Sequence, residues 1–256
     1  MPRIDIAEQA GVGVHGRPRP TEDKVVTTGN AVVLLDGATE FRDDLPSGGW
    51  YAARLAEQLD VRLRERPDDD LSALLADAIT GVTTEHDLRP GHSPSSTVAM
   101  LRWTEHRIDT LVLADSPVVV FHRSGRMDVL ADDRLLALRK GGALRTRADV
   151  SRLRNAEGGF WVAEADPAAA GHALHRSLPR ADVDAVLLAT DGVAIGVDEY
   201  RILGWPDVLC LAREKGAAAV LDTVRAAEHD DPDGARWPRS KRHDDQAFAL
   251  IDFTRK

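Results

Sequence analysis

Four short apolar segments, 97–103, 108–114, 118–122 and 127–130, follow one another, divided only by short links around Glu105-His106, Ser116-Pro117 and Ser124-Gly125. No other feature of the chain restricts its folding more. Parallel strands need a crossover of about a dozen residues or more, so linkers this short force neighbouring strands to run antiparallel. The four segments are therefore expected to form a meander in the middle of one sheet. Two β-branched and apolar runs, 24–28 and 31–35, flank Gly29-Asn30 and read as a tight hairpin. Segments 160–163, 184–190 and 247–253 read as further strands. Residues 1–24, with Gly11, Gly13, Gly16, Pro18 and Pro20, read as an irregular lead-in or a short edge strand followed by a loop.

The apolar period changes between these runs. Ala52, Leu55, Leu59 and Leu63 repeat at helical spacing, as do Leu71, Leu74, Leu75, Ala78, Ile79 and Val82. Pro67 separates the two helices, and Asp69 or Asp70 is placed to cap the second. Segment 206–213, with Pro206 in its first turn and Gly216 beyond its end, reads as a short helix, and Ala217, Val220, Leu221 and Val224 define another. The polar, Arg-rich stretch 132–159 reads as one or two short helices. Meanders with paired helices between them, and no strict strand-helix alternation, give an α+β fold: two packed antiparallel sheets flanked by helix pairs, in one domain over 1–256.

Composition narrows the function. The 256 residues are 43% hydrophobic and 29% charged, as in an ordinary globular protein, and the net charge of −9 argues against nucleic acid as a partner. No apolar stretch nears the roughly 20 residues of a membrane span, and the first residues lack a secretory pattern, so a cytoplasmic protein with no membrane partner is expected. The lone Cys210, within Val208-Leu209-Cys210-Leu211, reads as a buried small hydrophobe. His172 and His175 lie at helical spacing without a third ligand and read as surface or core histidines. His243 reads as a loop residue.

The chemistry is expected at strand ends. Asp36, Asp115 and Asp191 each close an apolar run, and Asp244 precedes one. A carboxylate in such a place costs free energy to desolvate and adds little packing, so several in equivalent places suggest a shared cation. Small or turn-forming neighbours, Gly37, Ser116 and Gly192, let the chain bring them to one point. Hard oxygen donors suit Mg²⁺ or Mn²⁺ rather than zinc, and a pair of such ions can activate a water and stabilise charge on a phosphoryl oxygen.

The motifs Arg-Pro-Arg-Pro-Thr-Glu-Asp (17–23), Asp-Gly-Ala-Thr (36–39), Pro-Ser-Ser-Thr-Val-Ala (94–99), Ala-Asp-Ser (114–116), Ala-Thr-Asp-Gly-Val (189–193) and Asp-Asp-Gln-Ala (244–247) resemble, in the same order, those of the type 2C metal-dependent Ser/Thr protein phosphatases. The resemblance spans about 17–252. It implies two packed antiparallel sheets and hydrolysis of phosphoserine and phosphothreonine in proteins by a water bridging two Mg²⁺ or Mn²⁺ ions. By the same resemblance Asp36 bridges both ions and the Gly37 carbonyl is a further ligand. Asp191 and Asp244 complete the first ion's ligands, Glu22 and Asp23 lie beside the second, and Asp115 helps hold a third. Ser95, Ser96 and Thr97 have a structural role. The family's phosphate-gripping arginine falls at Pro18, leaving Arg17 or Arg19 for that role. Ala38 follows Asp-Gly where the family tends to have His or Met. A monomer acting on phosphorylated proteins is expected; the alternatives are a catalytically silent phosphoprotein-binding module of the same fold, and a small-molecule phosphomonoesterase.

Overall fold

A computed structural model describes residues 1–12, 17–38, 44–239 and 241–254. The strands are β1 (Arg3–Gln9), β2 (Asp23–Thr28), β3 (Ala31–Asp36), β4 (Val98–Trp103), β5 (Arg107–Leu113), β6 (Val118–His122), β7 (Met127–Leu130), β8 (Leu174–Pro179), β9 (Val183–Ala189) and β10 (Gln246–Asp252). They form two five-stranded antiparallel sheets, ordered β1-β10-β9-β6-β7 and β2-β3-β4-β5-β8. The helices are α1 (Gly48–Glu65), α2 (Leu71–Glu85), α3 (Arg134–Lys140), α4 (Arg147–Leu153), α5 (Asp191–Asp198), α6 (Trp205–Lys215) and α7 (Ala217–Asp230).

Strand periodicity builds the layers. Along β3, Ala31, Val33 and Leu35 pack outward against α1 and α2, whereas Val32 and Leu34 enter the core between the sheets. Across that core, Val186, Leu188, Ala247, Ala249 and Ile251 of the other sheet answer them, while Leu187, Phe248 and Leu250 face α5, α6 and α7. Both faces of each sheet are thus covered, giving a helix-sheet-sheet-helix sandwich. Asp36 continues the parity of Val32 and Leu34, and Asp23 that of Val25, so both acids belong to the face that lines the gap between the sheets.

The hairpin, the α1–α2 pair and the two short helices in 132–159 form as expected. Asp70 caps α2, accepting from the Ser72 and Ala73 amides at 2.9 and 3.1 Å. The expected single meander is corrected: β4 and β5 stay in one sheet, but β6 and β7 join the other. The connection turns a corner at Ala114, whose φ of 69° is in the left-handed region, and Pro117 has no amide with which to extend the β5 ladder. That backbone costs about 1 kcal/mol, and it sits directly before Asp115.

Segment 160–163 is not a strand; it makes only isolated bridges, Phe160 to Arg154 and Ala163 to Ser96. The strand lies later, at β8, whose alternating Leu-His-Arg-Ser-Leu-Pro includes His175. The histidine pair therefore shares no helix face: His172 stacks on Trp161 with ring centroids 3.4 Å apart, and His175 lies near the Ser72 hydroxyl. Cys210 is exposed, not buried, because Val208, Leu209 and Ala212 take the inward face of α6; its thiol donates to Glu214 Oε1 at 3.3 Å. Helix α5, beginning at Asp191 itself, had no counterpart in the sequence reading.

Candidate metal centre

The acids converge at one end of the sandwich because the antiparallel order brings the relevant strand ends together. Asp23 and Asp36 are direct partners in the β2–β3 register. Ala189 pairs with Phe248, which places the start of α5 beside the Asp244-Asp245 approach to β10. Two glycines permit this closeness. A Cβ on Gly37 would lie 2.4 Å from the Gly48 carbonyl carbon at the start of α1, and one on Gly192 would lie 2.0 Å from the Asp245 carbonyl oxygen.

Asp36 is held by the segment the resemblance marked as structural. Its amide donates to Thr97 Oγ1 at 3.2 Å, its carbonyl accepts from Ser96 Oγ at 2.9 Å, and Thr97 Oγ1 lies 2.6 Å from Ser116 Oγ. The corner that carries Asp115 is thereby tied to the strand end that carries Asp36. At β9 and β10, the Ala247 amide donates to Thr190 Oγ1 at 2.9 Å.

The electrostatics are those of a site short of positive charge. Burial raises the Asp36 pKa well above the ordinary carboxylate value, and Asp23, Asp191, Asp244 and Asp115 all push it further. Asp191 is lifted to about 7, by burial first and then by Asp244 and Asp115, with the neighbouring Asp36 side chain opposing the rise. Asp23 is raised by burial and by Asp245, while the Thr190 hydroxyl exerts a smaller opposing pull. Both Asp23 oxygens are buried without a hydrogen-bond partner. Burial also raises Asp115, with Arg139 opposing from 3.9 Å.

Mutually repelling oxygens and an orphaned buried carboxylate suit a divalent cation by their chemistry. Among the described residues, no three such side chains are already arranged as a ligand set. Protein cations hold some of the acids instead: Lys241 Nζ lies 2.7 Å from Asp244 Oδ1, and Arg139 faces Asp115.

The structure separates the two candidate arginines. Arg17 is exposed. Arg19 is at the site, its guanidinium paired with Glu22 and donating to Asp245 Oδ2 at 2.5 Å. Asp245, absent from the sequence-level candidates, also accepts from the Gly11 and Glu22 amides at 2.7 and 3.2 Å. The Asp244-Asp245 doublet was its one visible signal; Lys241 had none beyond its place in a basic loop. His243 is buried rather than an ordinary loop residue, with Nδ1 3.0 Å from Glu228 Oε2. Burial lowers the His243 pKa to about 4 and raises that of Glu228 to about 7. Arg225 completes this backing layer, donating to the Asp244 carbonyl at 2.8 Å. Thr39, Glu40 and Ser240 lie outside the described residues.

No protein-family model matches the chain, and no curated protein does. Solved structures do. The catalytic domain of the serine/threonine protein phosphatase PstP in complex with two manganese ions superposes with a TM-score of 0.62 at 14% identity, over 98% of this chain and 97% of that one. Stp1 of Staphylococcus aureus gives 0.63 at 16% identity over 99% and 95%. The PPM Ser/Thr phosphatase MsPP of Mycobacterium smegmatis, in complex with cacodylate, gives 0.60 at 18% over 98% and 97%. Nearly full mutual coverage of several such domains means that this chain has the fold of the PPM-type Ser/Thr phosphatases.

Proposed function

We propose that the protein is a Mg²⁺- or Mn²⁺-dependent phosphatase acting on phosphoserine and phosphothreonine in proteins. The observation that carries this is the convergence of Asp23, Asp36, Asp115, Asp191 and Asp244 at one sandwich end, with both Asp23 oxygens buried and unpartnered. The similarity to PPM-type phosphatase structures supports it at the level of fold.

Asp36, with the Gly37 carbonyl, Asp191 and Asp244 would hold the first ion, Asp36 and the Glu22-Asp23 side the second, and Asp115 with Asp191 a third. Bound there, the ions would activate a water for attack on phosphorus and neutralise the phosphoryl oxygens. The protein's own groups do the rest. Thr97 and Ser96 fix the Asp36 backbone, Arg225 fixes the Asp244 backbone, and Arg19 offers guanidinium donors toward phosphate oxygens. Ala38 has no proton to give, so the leaving alkoxide would take its proton from a water at the site or from another side chain. The reading takes the protein to be a cytoplasmic monomer whose partners are phosphorylated proteins. No helix among the described residues is long and apolar enough to cross a membrane.

The test is Mn²⁺-dependent hydrolysis of an aryl phosphate and of phosphopeptides. Activity is expected to vanish with chelator and to fall at least about a thousandfold in Asp36→Ala and Asp191→Ala. Unchanged turnover in both variants would overturn the assignment. One observation favours a catalytically silent phosphoprotein-binding module: protein carboxylates occupy the Arg19 guanidinium, and Ala38 stands at the proton-donor position. Phosphopeptide binding without turnover at saturating Mn²⁺ would select it. Preference for small phosphorylated metabolites in competition would select a phosphomonoesterase.

A further inference from the structure

Among the described residues, Lys241 contributes the amine bonded to the acidic cluster. Its ammonium donates to Asp244 Oδ1 at 2.7 Å, and its side chain is only 14% exposed. The charge of Asp36 also reaches it, and Arg19 is close enough to oppose it. Arg19, by contrast, is fixed at two points, by Glu22 and by Asp245. Lysine brings a point charge on a flexible four-carbon stem, whereas a guanidinium held by two carboxylates cannot leave without stranding both. Of Lys241 and Arg19, Lys241 is the one with a single carboxylate to leave.

We propose that Lys241 is a displaceable cation of this centre: its ammonium occupies Asp244 until a divalent ion takes that carboxylate, and the released ammonium then binds an oxygen of the phosphoryl group. This rests on the metal-dependent phosphatase reading. It supplies a second phosphate-binding cation where Pro18 stands in place of arginine. No covalent step is involved. Asp244 exchanges an ammonium for a metal ion, and the ammonium exchanges one oxyanion for another.

Two binding measurements test it without relying on turnover. Free Mn²⁺ is followed by its electron paramagnetic resonance signal during titration of wild type, Lys241→Met and Lys241→Arg. Removing a competing charge-assisted hydrogen bond should tighten Mn²⁺ binding about tenfold in Lys241→Met. Lys241→Arg, which keeps the charge, should stay within about threefold of wild type. Inorganic phosphate is then titrated calorimetrically into the Mn²⁺-saturated proteins, and Lys241→Met should bind it about tenfold more weakly. Equal or weaker Mn²⁺ binding in Lys241→Met, or unchanged phosphate affinity, overturns the proposal. A wild type that binds Mn²⁺ no better than Asp36→Ala would instead overturn the underlying metal site. Melting curves in excess Mn²⁺ verify that each variant is folded; should Lys241→Met not fold, Lys241→Gln takes its place with the same expectations.

Discussion

At the scale of single residues, Asp245 organises the groups around the metal ligands without being a proposed ligand. Its two oxygens accept from the Gly11 amide, the Glu22 amide and Arg19, joining the loop before β2 to the start of β10. Replacing it with alanine leaves two buried amides without their acceptor and the Arg19 guanidinium with Glu22 alone, which costs about 2–3 kcal/mol. Asp245→Ala should therefore lower the urea midpoint and raise the KM for an aryl phosphate more than it lowers kcat, because Arg19 loses one of its two anchors while the proposed metal ligands remain. Unchanged KM would remove Arg19 from phosphate binding. The carboxylates were legible in the sequence because desolvating an acid at a strand end demands an explanation that the sequence itself displays. Lys241 and Asp245 were not, since their roles come from partners 3 to 234 positions away and leave no periodic trace. The choice of Arg19 over Arg17 likewise came only from the fold, which exposes one and pairs the other.

At the scale of elements, the site depends on how closely α5 approaches the start of β10. Gly192, in the first turn of α5, meets the Asp245 carbonyl where a methyl group would be 2.0 Å from it. Gly192→Ala must push α5 or the 244–245 segment aside, at about 1–3 kcal/mol of stability. Because Asp191 and Asp244 stand on the two displaced pieces, Mn²⁺ affinity should fall at the same time; a fully folded variant with wild-type Mn²⁺ binding would contradict this. Helical spacing and hairpin chemistry made α1, α2 and the β2–β3 pair readable. The β5–β6 connection was misread because a linker as short as 114–117 looks the same whether a strand turns back within its sheet or crosses to the facing one. Only the left-handed Ala114 separates those cases, and alanine gives no sign of it in sequence. Strand β8 was hidden by its polar alternation, and 160–163 looked like a strand although Phe160 and Val162 pack with Leu135, Leu138, Val150 and Leu153 while Trp161 and Ala163 pack toward α1 and α2.

At the scale of the whole molecule, the cluster couples folding to pH and to divalent ions. The folded-state pKa of Asp191, about 7, lies above its ordinary 3.8, so the native state binds protons more tightly than the unfolded chain does. Its stabilising contribution is thus complete below the ordinary value and is lost as pH rises through about 7. Glu228 shifts in the same direction, whereas His243, lowered to about 4, acts oppositely between pH 6.5 and 4. Neither of those two is a proposed ligand, so the difference between melting curves with Mn²⁺ and with chelator isolates the cluster. That difference should be larger at pH 8 than at pH 5.5, where protons already relieve the repulsion. Equal differences at both values would separate the acids from cation binding.

The β2–β3 hairpin shows where the molecule concentrates its internal conflict. Its closed end turns tightly through Gly29 and Asn30, and its open end sets Asp23 directly opposite Asp36. Like charges facing each other across an antiparallel pair oppose the ladder that joins them. The remaining pairs, Lys24 with Leu35 through Thr28 with Ala31, carry no such opposition. Frustration is thus confined to one rung, at the mouth of the sandwich. The rest of the hairpin can be optimised for folding while that rung stays tuned to a guest that the polypeptide does not itself provide.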